Sequence, residues 1–174
     1  MKHLISLILV FTTLFSASTM AGWDPNEEDD ARAAIAAFKK ADPKLERFFE
    51  KAYGYVVYPT VGKGGIGIGG AYGSGTVFQQ GKVIGSSRLT QVTIGFQFGG
   101  QAYSEIIFFK DKAAMDRFKE GNFELGAQVS AVAATAGASA NVDYSSGVAV
   151  FTRVKGGLMY EASVGGQVLS FEPR

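Results

Sequence analysis

Apolar positions along this chain follow three rhythms. The first is an unbroken apolar run over 4–15, preceded by Lys2 and His3 and followed by small and polar residues ending in Thr19-Met20-Ala21. The second is helical. Over 27–40 an acidic cluster, Glu27-Glu28-Asp29-Asp30, leads into an alanine-rich stretch closed by Lys39 and Lys40, so charge runs in the sense that suits a helix dipole and predicts a first helix. Asp42-Pro43 then reads as an N-cap followed by proline at the first helical position. Leu45, Phe48, Phe49 and Ala52 fall at i, i+3, i+4 and i+7, one apolar face of a second helix, with Gly54 placed to cap its end.

From Tyr55 the rhythm changes to that of strands. Tyr55-Val56-Val57-Tyr58 is rich in strand formers and is read as stopped by Pro59; further strands are predicted over 65–71, 75–79, 82–85, 89–98 and 102–109, with a hairpin connection at 79–82. Asp111 reads as the N-cap of a third helix over 112–119, with Ala114, Met115 and Phe118 inward and Gly121 after it. The Ala, Val, Ser, Thr and Gly stretch over 128–140 is read as strand, although alanine permits helix equally, and 148–153, 157–163 and 166–171 complete the set. The pattern predicts an α+β fold: a mostly antiparallel β-sheet or partly closed barrel of about eight strands with about three packed helices.

One stretch, Val61 to Gly75, "VGKGGIGIGGAYGSG", contains a formal G-x-G-x-x-G at Gly65, Gly67 and Gly70. A dinucleotide fingerprint requires a helix opening on the last glycine, whose N-terminus binds the pyrophosphate. Here the chain continues into glycine-broken, β-branched sequence, and no G-x-x-x-x-G-K-[ST] occurs. Period two fits better: Gly65, Gly67 and Gly69 share one side of a strand, with Ile66 and Ile68 on the other. Such a bare strand face marks a sharp bend, a close backbone approach or a ligand.

Composition narrows the chemistry. The apolar run over 4–15 is too short for a membrane span and has the layout of a secretory signal peptide, with cleavage expected after Ala21 and one domain over 22–174. The chain holds 17 Lys+Arg and 16 Asp+Glu. Loss of Lys2 would balance them, so bulk charge gives no case for nucleic acid. With no cysteine and His3 as the single histidine, disulfides, lipoprotein attachment, Ser-His-Asp and Cys-His catalysis and thiolate or imidazole metal sites are all excluded from the mature chain. No cofactor, metal or catalytic residue is expected.

Four blocks in order carry a resemblance: "GYVVYPTVGKGGIGIGGAYGSGTVF", "LTQVTIGFQFGGQAYSEIIFF", "FKEGNFELGAQVSAVAATAG" and "VAVFTRVKGGLMYEASVGGQVLSF". Together they resemble the SYLF domain family over roughly 53–171. The resemblance implies a non-enzymatic lipid-binding domain. Eukaryotic relatives bind phosphoinositides and some yeast relatives bind and bundle actin, whereas bacterial relatives are exported envelope proteins. With a leader of this kind, the implied setting is the periplasm or the outer membrane, and the implied partner is anionic phospholipid or a membrane surface. Actin and phosphoinositides are not expected, and the sequence leaves the oligomeric state open.

Carried over by position, Lys63 matches the basic residue before the family's glycine-rich strand, and Arg153 and Lys155 match its "SR-x-KG" block, here with Thr152 in place of serine. Lys63, Arg153, Lys155, Gly65, Gly67 and Gly69 are therefore the implied lipid-contacting residues, arginine as a planar fork and lysine as a point charge toward phosphate. The acidic start at 24–30 departs from relatives with a basic N-terminal helix and should be repelled by an anionic surface. Two alternatives stand beside this reading: an envelope module that binds protein and no lipid, and a small outer-membrane β-barrel, against which the helices count. An enzyme would have to work with carboxylates such as Glu105, Asp143 and Glu161. Glu105, set among apolar residues in "SEIIFF", is read as a buried carboxyl with a raised pKa and a structural hydrogen-bonding role.

Overall fold

The computed structural model describes residues 25–95, 100–156 and 164–174. Helix α1 (Pro25–Ala41) begins in the acidic cluster and ends on Lys39 and Lys40, as the dipole argument requires. Asp42 then caps a single 3₁₀ turn (Pro43–Leu45), its side chain accepting from the Lys44 N–H, and α2 (Glu46–Lys51) follows. Gly54 does not cap α2. Ala52, in extended conformation, does so, and Gly54 already belongs to the first strand.

That strand, β1 (Gly54–Gln79), absorbs three of the predicted strands and runs through Pro59, where the pairing register shifts between Tyr58 and Val61. Proline thus sits at an irregularity, where its missing N–H is tolerated, and does not end the strand. The remaining strands are β2 (Lys82–Gly95), β3 (Gln101–Phe109), β4 (Phe123–Glu124), β5 (Ala131–Ala133), β6 (Val148–Gly156), β7 (Val168–Leu169) and β8 (Glu172–Pro173). Helix α3 (Lys112–Lys119) follows β3, capped by Asp111 through the Ala114 N–H, and Gly121 takes a left-handed φ of 82° after it. The sheet order is β4-β7-β2-β1-β3-β6-β5, with β8 also on β2; among the described residues only β5–β6 is parallel. The sheet curls into a half-barrel, which is the α+β class expected.

Most of 128–140 is not strand. Only Ala131–Ala133 pairs, and a turn and a 3₁₀ segment (Ala138–Asn141) take the rest, because Asp42 and Arg47 bind that backbone. Asp42 accepts from the Gly137 and Ser139 N–H groups, and Arg47 donates to the Ser139 and Val142 carbonyls. Of the predicted run 89–98, residues 96–99 lie outside the described residues, as does the predicted strand 157–163. The predicted run 166–171 contributes only β7.

The sheet separates two apolar clusters. On its α1 face, Phe38, Leu45, Phe48, Tyr55, Val57, Phe78, Ile106, Phe108 and Phe151 pack together. Phe48 alone meets Phe108, Tyr144 and Phe151 with ring centroids 4.9–5.5 Å away, so its truncation to alanine costs about 3–5 kcal/mol. On the opposite, α3 face, Val56, Val61, Val77, Leu89, Ile107, Phe109, Met115 and Phe118 form the second cluster. Strand β3 is buried on both faces, which is why Ile106-Ile107-Phe108-Phe109 reads as a continuous apolar run.

Candidate functional site

The glycine stretch is where β1 doubles back. A Cβ added at Gly54 would lie 2.8 Å from the Phe78 carbonyl, one at Gly75 would lie 2.6 Å from the Val57 carbonyl and the Tyr58 ring, and one at Gly73 would lie 3.0 Å from Val61. These contacts place the returning half of the strand directly alongside the outgoing half, as does the stacking of Tyr55 on Phe78 at 5.1 Å. At the reversal Gly65 has φ +149°, and a Cβ there would lie 2.3 Å from the Gly69 Cα. The glycines serve a tight bend and close backbone approach.

The bend also exposes apolar surface. Along the returning half, Ala71 and Val77 face the α3 side, and Thr76 and Phe78 lie under α1, where the Thr76 hydroxyl donates to the Glu27 carbonyl. Ile68, Tyr72 and Val92, at positions that alternate with the α3-facing ones, therefore share the α1 face, in register through Gly70↔Val92 and Tyr72↔Thr90. Helix α1 stops short of them, and they are 71, 55 and 78 % exposed. Three large apolar side chains on one bare sheet face make a contiguous patch of the kind that marks an interaction surface.

The basic residues implied by the resemblance divide between the two faces. Arg153 lies opposite Ser104 on the α1 face, and the exposed Lys155 donates to the Thr60 hydroxyl at 2.7 Å. Thr60 in turn lines a depression of about 200 Å³ with Ser74, Thr76, Glu27 and Asp30, so Lys155 and two acids of α1 meet on the α1 side of the sheet. Lys63, in register with Gln101 two residues beyond Val61↔Tyr103, lies on the α3 face. The structure thus brings Arg153 and Lys155 to the face that carries the patch and sets Lys63 apart.

Lys63 belongs instead with a buried polar cluster. The wholly buried Glu105 accepts from Gln167 Nε2 at 3.1 Å, and the same amide donates to the Tyr103 hydroxyl at 3.4 Å. Burial pushes the Glu105 carboxyl up to about 8, against the opposing pull of the Gln167 hydrogen bond and the Lys63 charge; burial also holds Lys63 below its usual range. Glu105 Oε1 and Gln167 Oε1 are both buried without a partner among the described residues. Nearby, the Tyr58 hydroxyl meets the Ser87 hydroxyl at 2.7 Å, and Ser87 donates to the Ser170 carbonyl. Among the described residues no three His, Cys, Asp or Glu side chains are grouped to hold a metal.

The arrangement defines a half-barrel module with a bare apolar patch, and Arg153 and Lys155 lie on the same side of its sheet. Residues 90–173 match the family described as Ysc84, Las17-binding protein actin regulator. A similar protein is the Beta cell expansion factor A of Aeromonas veronii, 26 % identical over 145 residues that cover 78 % of this chain and 52 % of the relative. The chain thus spans about half the length of that relative. That match is in keeping with a lipid-binding or envelope-module role in general terms.

The resemblance drew attention to cations and glycines but passed over Tyr72 and Val92. Their signal lies in the alternation: Ile68, Gly70 and Tyr72 on one strand and Thr90 and Val92 on the next form a face without charge, unlike the solvated side of an ordinary antiparallel sheet.

Proposed function

We propose that this protein is a non-enzymatic phospholipid-binding module of the bacterial envelope that docks on a bilayer through the bare end of its β1–β2 sheet. The observation that carries this reading is the patch of Ile68, Tyr72 and Val92, left uncovered beside a face that α1 otherwise buries. Full burial of a side chain of this size yields roughly 1.5–3 kcal/mol, so three of them partly inserted supply a usable membrane affinity. Tyrosine among aliphatic residues suits the interfacial layer, where its ring is buried and its hydroxyl stays wet. Arg153 and Lys155 would meet lipid phosphates and favour anionic phospholipid, while Glu27 and Asp30 oppose it, so charge tunes the contact and apolar insertion drives it.

Vesicle flotation tests the reading. Wild type should float with phosphatidylglycerol-containing vesicles and more weakly with pure phosphatidylcholine vesicles. Ile68→Asp/Val92→Asp should lose at least tenfold in affinity for both, and Arg153→Ala/Lys155→Ala should weaken only the anionic case. Wild type that floats with neither vesicle overturns the proposal in favour of a protein-binding module, and undiminished binding by the aspartate variant moves the contact elsewhere.

A further inference from the structure

At the opposite end of β1 from the bare patch, the start of the strand, the β1–β2 turn and the β3–α3 connection enclose a groove of about 690 Å³ against α2. Its size falls within the range of small-molecule sites. The floor is aromatic: Phe49, Tyr53 and Tyr55, with Phe49 set edge-on to Tyr55 at 5.2 Å and Tyr55 stacked on Phe78. A second depression of about 460 Å³ shares Phe49, Glu50, Tyr55 and Gly81 with the first and continues between α1 and α2 past Ile35 and Ala36. The two adjoin through those residues, with an aromatic middle and, toward α1, Ile35 and Ala36 flanked by Arg32, Lys39 and Glu46.

Its charges are unevenly used. Lys112 is paired with Asp116 and Lys39 with Glu46, and Asp111 accepts from the Ala114 N–H. Lys51 and Lys110 line the wide end, and among the described residues neither has an ion pair. Two ammonium groups at one end of a groove of mixed polar and aromatic lining complement a ligand with a compact anionic head and a single chain, and a phosphate head, unlike a single carboxylate, carries enough oxygen and charge for both. Glu50, also unpaired there, and the Asp111 carboxylate are the parts of the lining that work against such a head.

We propose that this groove binds a single-chain amphiphile with a phosphate head, the head between Lys51 and Lys110 and the chain along Phe49 and Tyr55 toward Ile35. The site does not depend on the bare patch and would sequester a lipid monomer, whereas the patch would touch a bilayer. Calorimetric titration with dodecyl phosphate below its micellar concentration tests it. Binding should weaken at least tenfold in Lys51→Glu/Lys110→Glu, strengthen about threefold in Glu50→Gln, and stay unchanged in Ile68→Asp/Val92→Asp, each variant first checked for wild-type thermal unfolding. Dodecyltrimethylammonium, dodecyl maltoside and inorganic phosphate should each bind at least tenfold more weakly than dodecyl phosphate. Equal binding of the cationic or neutral detergent, equal binding of inorganic phosphate, or insensitivity to the lysine exchange overturns the proposal. If the Lys51→Glu/Lys110→Glu protein is misfolded, the Glu50→Gln response decides alone, an unchanged affinity counting against the site. Because the patch variant keeps this site intact, loss of vesicle flotation and loss of dodecyl phosphate binding report separately on the two surfaces.

Discussion

At the scale of single residues, Glu105 shows how a sequence position acquires its chemistry from burial. An unfolded chain ionises this carboxyl near 4.5, whereas the fold keeps its proton up to about 8. Between those values the unfolded state releases a proton that the native state retains, so this residue's contribution makes stability fall as pH rises through the window, and flattens above it. Glu105→Gln keeps shape and a neutral hydrogen-bonding group. We therefore expect the variant to be more stable than wild type at pH 8.5, by up to roughly 3–5 kcal/mol, and nearly equal to it at pH 4.5. Urea unfolding of both proteins across this range checks it; parallel curves would mean that the carboxyl is ionised in the fold. Asp42 is the opposite case. Burial would raise its pKa, but bonds from Ser139, Gly137 and Lys44 outweigh that and lower it, so its contribution is present above the normal carboxylate range and is lost only in acid.

At the scale of elements, the helices were legible because their signals are local. Asp42-Pro43 and Asp111 caps, apolar spacing and Gly121 all act within a few residues. The long β1 was less legible, because what makes Pro59 tolerable and the glycines necessary is the partner strand and not the local sequence. The Ala-rich stretch after Gln128 failed for a related reason: its conformation is held by Asp42 and Arg47, some 95 residues away in the chain, which no periodicity reports. The doubling of β1 makes a specific demand on Gly75, whose Cβ would strike the Val57 carbonyl and the Tyr58 ring. Gly75→Ala should cost about 1–3 kcal/mol through overpacking. Gly62, with nothing within 4 Å of an added Cβ, should tolerate the same change with less than about 0.5 kcal/mol lost. Thermal unfolding of the pair separates packing at the bend from a general cost of losing strand glycines.

At the scale of the whole molecule, the two ends of the half-barrel differ in kind: one carries the uncovered Ile68, Tyr72 and Val92, the other the groove beneath α2 and the exposed end of α3. Membrane docking through the first end implies a fixed orientation, with the α3 end in water. The chain contains no cysteine, so single cysteines report position without background. An environment-sensitive fluorophore on Val92→Cys should shift to the blue and become protected from iodide when phosphatidylglycerol-containing vesicles are added. The same probe on Glu120→Cys, at the exposed C-cap of α3, should show neither change. Raising salt from low to high ionic strength should reduce the Val92 response only modestly, because apolar insertion is unscreened while the contributions of Arg153 and Lys155 are screened. A response at Glu120 equal to that at Val92 would mean that no single orientation exists. A response abolished by salt would mean that the cations, and not the bare sheet face, hold the protein on the membrane.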